Sequence, residues 1–425
     1  MAEALQAECA ALAEATRQLQ SPSAAIRSDA ERKLLSLKQL GVDKLFELVA
    51  TVVNSTLDVG ARFHAVQILR SSCVEKWSGT DHALKIRVRD WAIQSALSQR
   101  DEIVRSQLLA CSAILLKRSW LEQTLADKTK FFEMLRTHTH STSDFAVQVE
   151  LEFIQAVISE FSLETATTVG MPLAFHLECK QSLEGDFLRT FFDFACSKGK
   201  ESFVRQQQGH ESTLICVASI EAMTQILNWN FCKAIPSKFF DGQSPATTTE
   251  LASLRPGKAW RQPLFSDGMA WIYELNQLVH SAGQNAETPL STSIRQLIIV
   301  LATLHGDIFQ SDMDPLRVEH VRRIQFAIFS VLNESSVQMA MAGQCEQRLV
   351  DGCKIVFALS EHNKLAVLNL VEGSSNKLCG LANSIALACI SGGGAREDAD
   401  GSCASLSLDF LLDALGNLIQ AECNS

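Results

Sequence analysis

Residues 41–81, GVDKLFELVATVVNSTLDVGARFHAVQILRSSCVEKWSGTD, read as two helices and the approach to a third. Leu45, Leu48, Val49 and Val52 recur at three- and four-residue steps, which is one face of a helix. Phe63, Val66, Leu69, Cys73 and Trp77 do the same over a longer partner. Gly41 is placed to end the preceding helix and Asp43 to cap the next. Thirty-eight residues on, Gly79 stands where Gly41 stood and Asp81 where Asp43 stood. Ile86, Trp91 and Ile93 then belong to one helix and Ile103 to Leu116 to its partner. The unit is a helix pair, and it repeats.

A period near 40 residues built from helix pairs predicts an all-α chain, an α-α superhelix of the HEAT or armadillo kind, whose units run ~40–47 residues. Working back, Leu5, Cys9, Leu12, Thr16 and Leu19 line a helix over Ala4–Gln20. Ser21 and Pro22 fit an N-cap and first helical position, and Ile26, Ala30, Leu34 and Leu37 line the helix that follows. Working forward, Ser141 and Asp144 begin a helix carrying Phe145, Val149, Phe153 and Val157. Further helical runs cover about 184–198, 211–229, 265–281, 290–304, 315–333, 345–359, 377–390 and 404–420. Residues 241–259, rich in Ser, Thr, Pro and Gly, and 391–402 read as flexible surface loops. The expected organisation is therefore repeats over 1–125, 126–240 and 260–425, with an insertion at 241–259. An isolated pair leaves an apolar stripe on each side, so every repeat must bury its stripe against the next. Burying one Leu or Phe gains roughly 1.5–3 kcal/mol, so Asp at Phe63 or Leu108 is expected to open a whole repeat.

Composition agrees with helices. Only 8 Pro, 21 Gly and one Tyr occur in 425 residues, too few turn formers and β-favouring aromatics for a sandwich or barrel. The most apolar stretches, such as Leu297–Leu304, fall well short of the ~18 residues of a membrane span. Glu3, Glu8 and Glu14 against Arg17 resemble neither a secretory signal nor a transit peptide, which places the chain in cytosol or nucleoplasm. Thirteen Cys without a Cys-x-x-Cys argue for reduced, packed thiols rather than a metal site. Residues 1–140 hold 19 Lys and Arg against 16 Asp and Glu, a net +3, and the remainder holds 19 against 32, a net −13. That acidic body disfavours nucleic acid as a partner and is compatible with basic proteins.

Catalytic motifs fail one by one. Gly392–Gly394 lacks the Gly-Lys-Ser/Thr that grips phosphate. His210-Glu211 starts like a zinc-protease helix, but Leu214 occupies the second His position. His138 and His140 have no third ligand at useful spacing and read as exposed loop histidines. No nucleophile elbow occurs. The expectation is a chain without catalytic residues, metal or cofactor, whose business is recognition.

Ala30-Glu31 with Leu34 and Leu37, followed by Arg62-Phe63-His64-Ala65-Val66-Gln67 leading to Leu69, Val74 and Trp77, resembles the N-terminal domain of the importin-β (karyopherin) superfamily of nuclear transport receptors. FHLECKQSLEGDFLRTFF (175–192), ILNWNF (226–231), AWRQPL (259–264) and LATLHGDIF (301–309) are similar, in order and spacing, to segments of its exportin members, with Gln262 in place of an acid. The resemblance spans about residues 25–420 and matches an N-terminal portion of considerably longer receptors. It implies Ran-GTP as a partner, protein cargo such as a hypusine-containing translation factor, Smad-type factors or Sox-type factors, Phe-Gly proteins of the nuclear pore, and shuttling between nucleus and cytoplasm. It also implies that the second helices of the first repeats, about 24–39, 59–76 and 101–118, receive Ran. Arg27, Glu31, Gln67, Arg70, Ser71 and Arg105 are the implied contacts, Arg70-Ser71 foremost. The alternative is a cytosolic helical-repeat scaffold that ignores Ran; an enzyme with an unrecognised Cys/His site comes last.

Overall fold

The computed structural model describes residues 2–55, 58–140, 143–162, 171–208, 213–232, 252–253, 256–280, 287–311, 314–341, 346–363, 380, 383 and 403–424. These residues form helix hairpins that pack side by side in chain order, the all-α repeat fold expected from the periodicity. The chain divides into two compact units, Met1–Phe187 and Leu188–Ser425.

In the first unit, α1 (Ala2–Gln18) pairs with α2 (Ala24–Leu37), α3 (Val42–Val53) with α4 (Val59–Glu75), α5 (His82–Ser98) with α6 (Glu102–Arg118), and α7 (Leu125–His140) with α8 (Asp144–Phe161). A shorter α9 (Leu173–Leu183) follows. First helices touch first helices, α1 to α3 and α3 to α5, and second helices touch second helices, α4 to α6 and α6 to α8. The apolar face read for α3 is fully buried. On α4, however, the buried set is Ala61, Ala65, Val66, Ile68, Leu69, Ser72 and Cys73, and Phe63 is only half-buried beside His64. Small alanines take the core side because α4 is wedged among α1, α3 and α6. Ile26, expected on the apolar side of α2, is exposed.

Helix starts differ from the reading where a neighbouring group competes for the cap. Ser21 does not cap α2: its Oγ accepts from Ser23 N at 3.3 Å, and Arg27 Nη1 donates to the Ser21 and Pro22 carbonyls at 2.8 and 2.9 Å, holding 21–23 outside the helix. Asp43 lies inside the first turn of α3, after Gly41, whereas Asp81 is a true cap accepting from Leu84 N. Ser143, not Ser141, caps α8 through Ala146 N. His138 and His140 lie in α7 rather than in a loop.

Trp120, with no exposed surface, is the aromatic hub of this unit, edge-on to Phe132, Phe161 and Phe187 at 6.5, 4.9 and 5.6 Å. Its Nε1 donates to Ser182 Oγ at 3.0 Å, and Lys128 lies over its ring at 4.5 Å. A buried indole with its N–H satisfied and a cation on its face combines the favourable terms open to an aromatic core residue.

The second unit repeats the plan with α10 (Arg189–Gln207) and α11 (Thr213–Leu227), a short α12 (Arg261–Phe265), α13 (Ala270–His280) with α14 (Pro289–Ala302), α15 (Pro315–Val331), α16 (Glu334–Met341) and α17 (Glu346–His362), and α18 (Cys403–Asn424) against α17. Here α11, α14 and α17 stack in order. Phe231–Cys232 (β1) and Ala252–Ser253 (β2) form a two-residue antiparallel ladder that nothing in the sequence signalled. The Gln262 Oε1 accepts from Arg189 Nη2 at 2.7 Å. Between α14 and α17, Arg295 and Asp351 form an ion pair of 2.9 Å with neither side chain exposed. Gln296 and Gln347 donate to the other Asp351 oxygen, so both carboxylate oxygens are occupied. Helix 377–390 and loop 391–402 lie outside the described residues, apart from Gly380 and Asn383; so does the 241–259 loop, apart from 252–253 and 256–259.

Among the described cysteines, all but the half-buried Cys196 pack as the composition implied. Cys9, Cys73, Cys111, Cys179, Cys216 and Cys353 are buried. Burial pushes the Cys73, Cys179, Cys216 and Cys353 thiols up to about 12, so none is a thiolate near neutrality.

Candidate functional site

The stacked second helices α4, α6 and α8 of the first unit each leave one narrow stripe open. On α4 it runs through Gly60, Phe63, His64, Gln67, Arg70, Ser71 and Val74, all half-buried and spaced by three or four residues. On α6 it comprises Ile103, Ser106, Gln107 and Ala110, beyond which every residue to Trp120 is buried. On α8 it passes Gln148, Glu152, Gln155 and Ser159. The stripes are narrow because each helix is covered on several sides: α4 by α1, α3 and α6, α6 by α4, α5 and α8, and α8 by α5, α6, α7 and α9.

The six residues singled out from sequence fall into two groups. Gln67, Arg70 and Ser71 share the α4 stripe, and none makes a side-chain hydrogen bond or ion pair among the described residues. Glu31 is exposed on α2. Arg27 is occupied by the Ser21 and Pro22 carbonyls. Arg105 is no surface residue: it is 4% exposed. Its Nε and Nη2 donate to Glu152 at 2.6 and 2.9 Å, and its Nη1 donates to the Gln99 and Arg100 carbonyls at 3.3 Å each.

A structural role for Arg105 was legible in the repeat. It stands four residues after the capping Asp101, as Arg62 stands four after Asp58, and Arg62 Nη1 likewise reaches the next hairpin, at Gln99 Oε1 (3.4 Å). What the sequence reading missed is a row of amides. Gln67, Gln107 and Gln148 recur at steps of 40 and 41 residues, on three consecutive second helices. They lie nine, six and five residues past their caps, so the row runs diagonally across the stack. The Gln107 Oε1 is shielded from solvent and has no partner. The repeat period itself was the signal that would have found the row.

Charge on this face is largely consumed internally. Glu152 is taken by Arg105 and by Gln148 Nε2 at 2.8 Å, and Arg100 lies over the Phe145 ring at 4.0 Å. Neutral donors and acceptors remain, with Arg70 as the unpaired cation of the α4 stripe. On the first-helix side, Ile93 of α5 and Phe131, Met134 and Leu135 of α7 line a shallow apolar dimple of about 10 Å³, with Asp90 and Gln94 at its margin. Met134 is 42% exposed there. Among the described residues no group of three or more His, Cys, Asp or Glu is placed to hold a metal ion, and no helix is long and apolar enough to cross a membrane.

No family model matches the chain. Among solved structures it is similar to Kap121p bound to RanGTP, with 11% identity and a TM-score of 0.33, over 98% of this chain and 45% of that one. It is also similar to Kap95p from a complex with RanGDP whose switch loops adopt the GTP-bound conformation, with 12% identity and a TM-score of 0.34, over 97% of this chain and 61% of that one. An engineered protein matches at 11% identity and a TM-score of 0.27, over 96% and 99%. The chain thus spans about half the length of the Kap proteins it matches.

Proposed function

We propose that this chain is a nuclear transport receptor of the importin-β superfamily, an exportin-4-like export receptor or the N-terminal portion of one, that binds GTP-loaded Ran on the α4, α6 and α8 face. The observation that carries the reading is the α4 stripe. The sequence resemblance assigns Ran contact to this helix, and Gln67, Arg70 and Ser71 stand there half-open with no internal partner. Side chains that a fold leaves unused on a rigid helix are available for recognition without loss of existing contacts. Arg27 and Arg105, by contrast, serve the fold, so the contact set contracts to α4 and its neighbours.

The same resemblance implies Phe-Gly proteins of the nuclear pore as partners. Protein cargo, including the hypusine-containing and Smad-type factors, belongs to the proposal through resemblance alone. No catalytic role or cofactor is proposed. The test is capture of the chain by immobilised Ran in its two nucleotide states. Strong preference for the GTP form is expected; equal or absent capture would leave the scaffold reading in possession.

A further inference from the structure

We infer that Cys196 and Met269 form a two-sulfur clip for a soft monovalent cation, with Cu(I) as the ion of the cell and Ag(I) as its probe. The clip lies within the second unit and does not depend on the Ran reading. Cys196 is on α10, and Met269 ends the short 3₁₀ turn Asp267–Met269 that leads into α13. The Cys196 Sγ stands 3.7 Å from the Met269 Sδ and 3.6 Å from the Gly268 carbonyl oxygen. Three observations point to a ligand. First, Cys196 is half-open, whereas the other six described free cysteines are buried. Second, an ion ~2.3 Å from each sulfur, the usual metal–thiolate length, fits between sulfurs this far apart with a near-tetrahedral angle at the metal. Third, Trp271, 3% exposed, packs its ring against Gly199, one turn past Cys196, and its Nε1–H has no acceptor. Burial raises the Cys196 pKa, and the Trp271 N–H, directed at the same sulfur, pulls the other way by favouring the thiolate. A thiolate held by a metal is the acceptor that this N–H lacks.

Binding exchanges a proton for the ion. The S–H bond breaks, the proton leaves to solvent, the Cys196 Sγ gives the cation one electron pair and the Met269 Sδ gives it a second, with no change of oxidation state. The site is part-buried and resists net charge. A thiolate joined to a monovalent ion is neutral, but joined to a divalent one it is not. Thiolate and thioether are soft donors that select Cu(I), whereas Zn(II) takes four donors and finds too few here. The charged neighbours on α10 are Asp193 and Lys200, of opposite sign. The bound ion staples α10 to the turn that opens α13.

The experiment follows the eight methionine methyl signals of the reduced, ¹³C-labelled full chain as Ag(I) is added without oxygen. One signal is expected to shift before silver equals the thirteen thiols, and that signal should be missing from Met269→Leu, which keeps the volume. Cu(I) supplied as its acetonitrile complex should move the same signal. Cys196→Ser should abolish the shift, and Zn(II) should not produce it. If no methionine signal moves once silver matches the thiols, the inference is overturned on the unaltered protein, however the variants fold. A shift that persists in either variant overturns it as well, and a shift with Zn(II) overturns the preference for a monovalent ion.

Discussion

Arg105 on α6 and Glu152 on α8, 47 residues apart, meet as a two-pronged pair at 2.6 and 2.9 Å. The guanidinium also holds two carbonyls of the turn that precedes α6. One side chain thus fastens the start of its own helix to the helix of the next hairpin. Arg105→Ala strips four hydrogen bonds and leaves a part-buried carboxylate with a weaker donor. A loss of about 2–3 kcal/mol is expected, read from urea melts, with Glu152→Gln less damaging. A variant as stable as the parent would show that water replaces the pair.

Gly199 on α10 makes room for Trp271 of α13: a Cβ there would lie 2.6 Å from the Trp271 ring and 3.1 Å from Ser219 Cβ. Gly352 likewise abuts Leu332, at 2.5 Å. Alanine favours a helix by ~1 kcal/mol over glycine, yet overpacking costs about 1–3 kcal/mol. At both positions the clash is expected to prevail, so Gly199→Ala and Gly352→Ala should lower the melting temperature. At Gly185 and Gly416, where a Cβ would meet nothing within 4 Å, alanine is expected to be neutral or stabilising.

His320 on α15 is buried between Phe265 and Phe309, its Nε2 within 2.9 Å of the Leu301 carbonyl. Burial lowers its pKa to about 4, from 6.5 for a free imidazole. The unfolded chain therefore binds the proton more readily. The stability that the neutral ring lends is whole above pH 6.5 and is lost as pH falls toward 4. His280 on α13, lowered to about 3 by burial and then by Arg348 and Arg295, acts in the same sense. Urea midpoints should drop from pH 7 to pH 4.5, and His320→Gln should flatten that slope. An unchanged slope in the variant would place the acid sensitivity elsewhere.

Much of this fold was legible because α-helical periodicity is a local property. The α3 face and the α5–α6 pair followed from spacing alone. Misreadings arose where a tertiary neighbour decided the outcome. Phe63 has the spacing of a core residue, but α4 is crowded on three sides and admits alanines there. Arg105 has the look of a surface cation, and only the approach of Glu152 from the next repeat reveals its burial. Ser21 and Asp43 carry capping chemistry, yet Arg27 and Gly41 settle where those helices begin. The amide row required comparing three repeats at once, whereas Arg70 and Ser71 could be picked from one.

The sulfhydryls packed into both units offer a built-in clock. Because Cys73, Cys111 and Cys179 belong to one unit and Cys216 and Cys353 to the other, a maleimide or disulfide reagent can reach them only when the surrounding helices separate. The pace of labelling at each thiol, followed by peptide mass, would time the breathing of the two halves of this molecule independently, with no mutation and no attached dye.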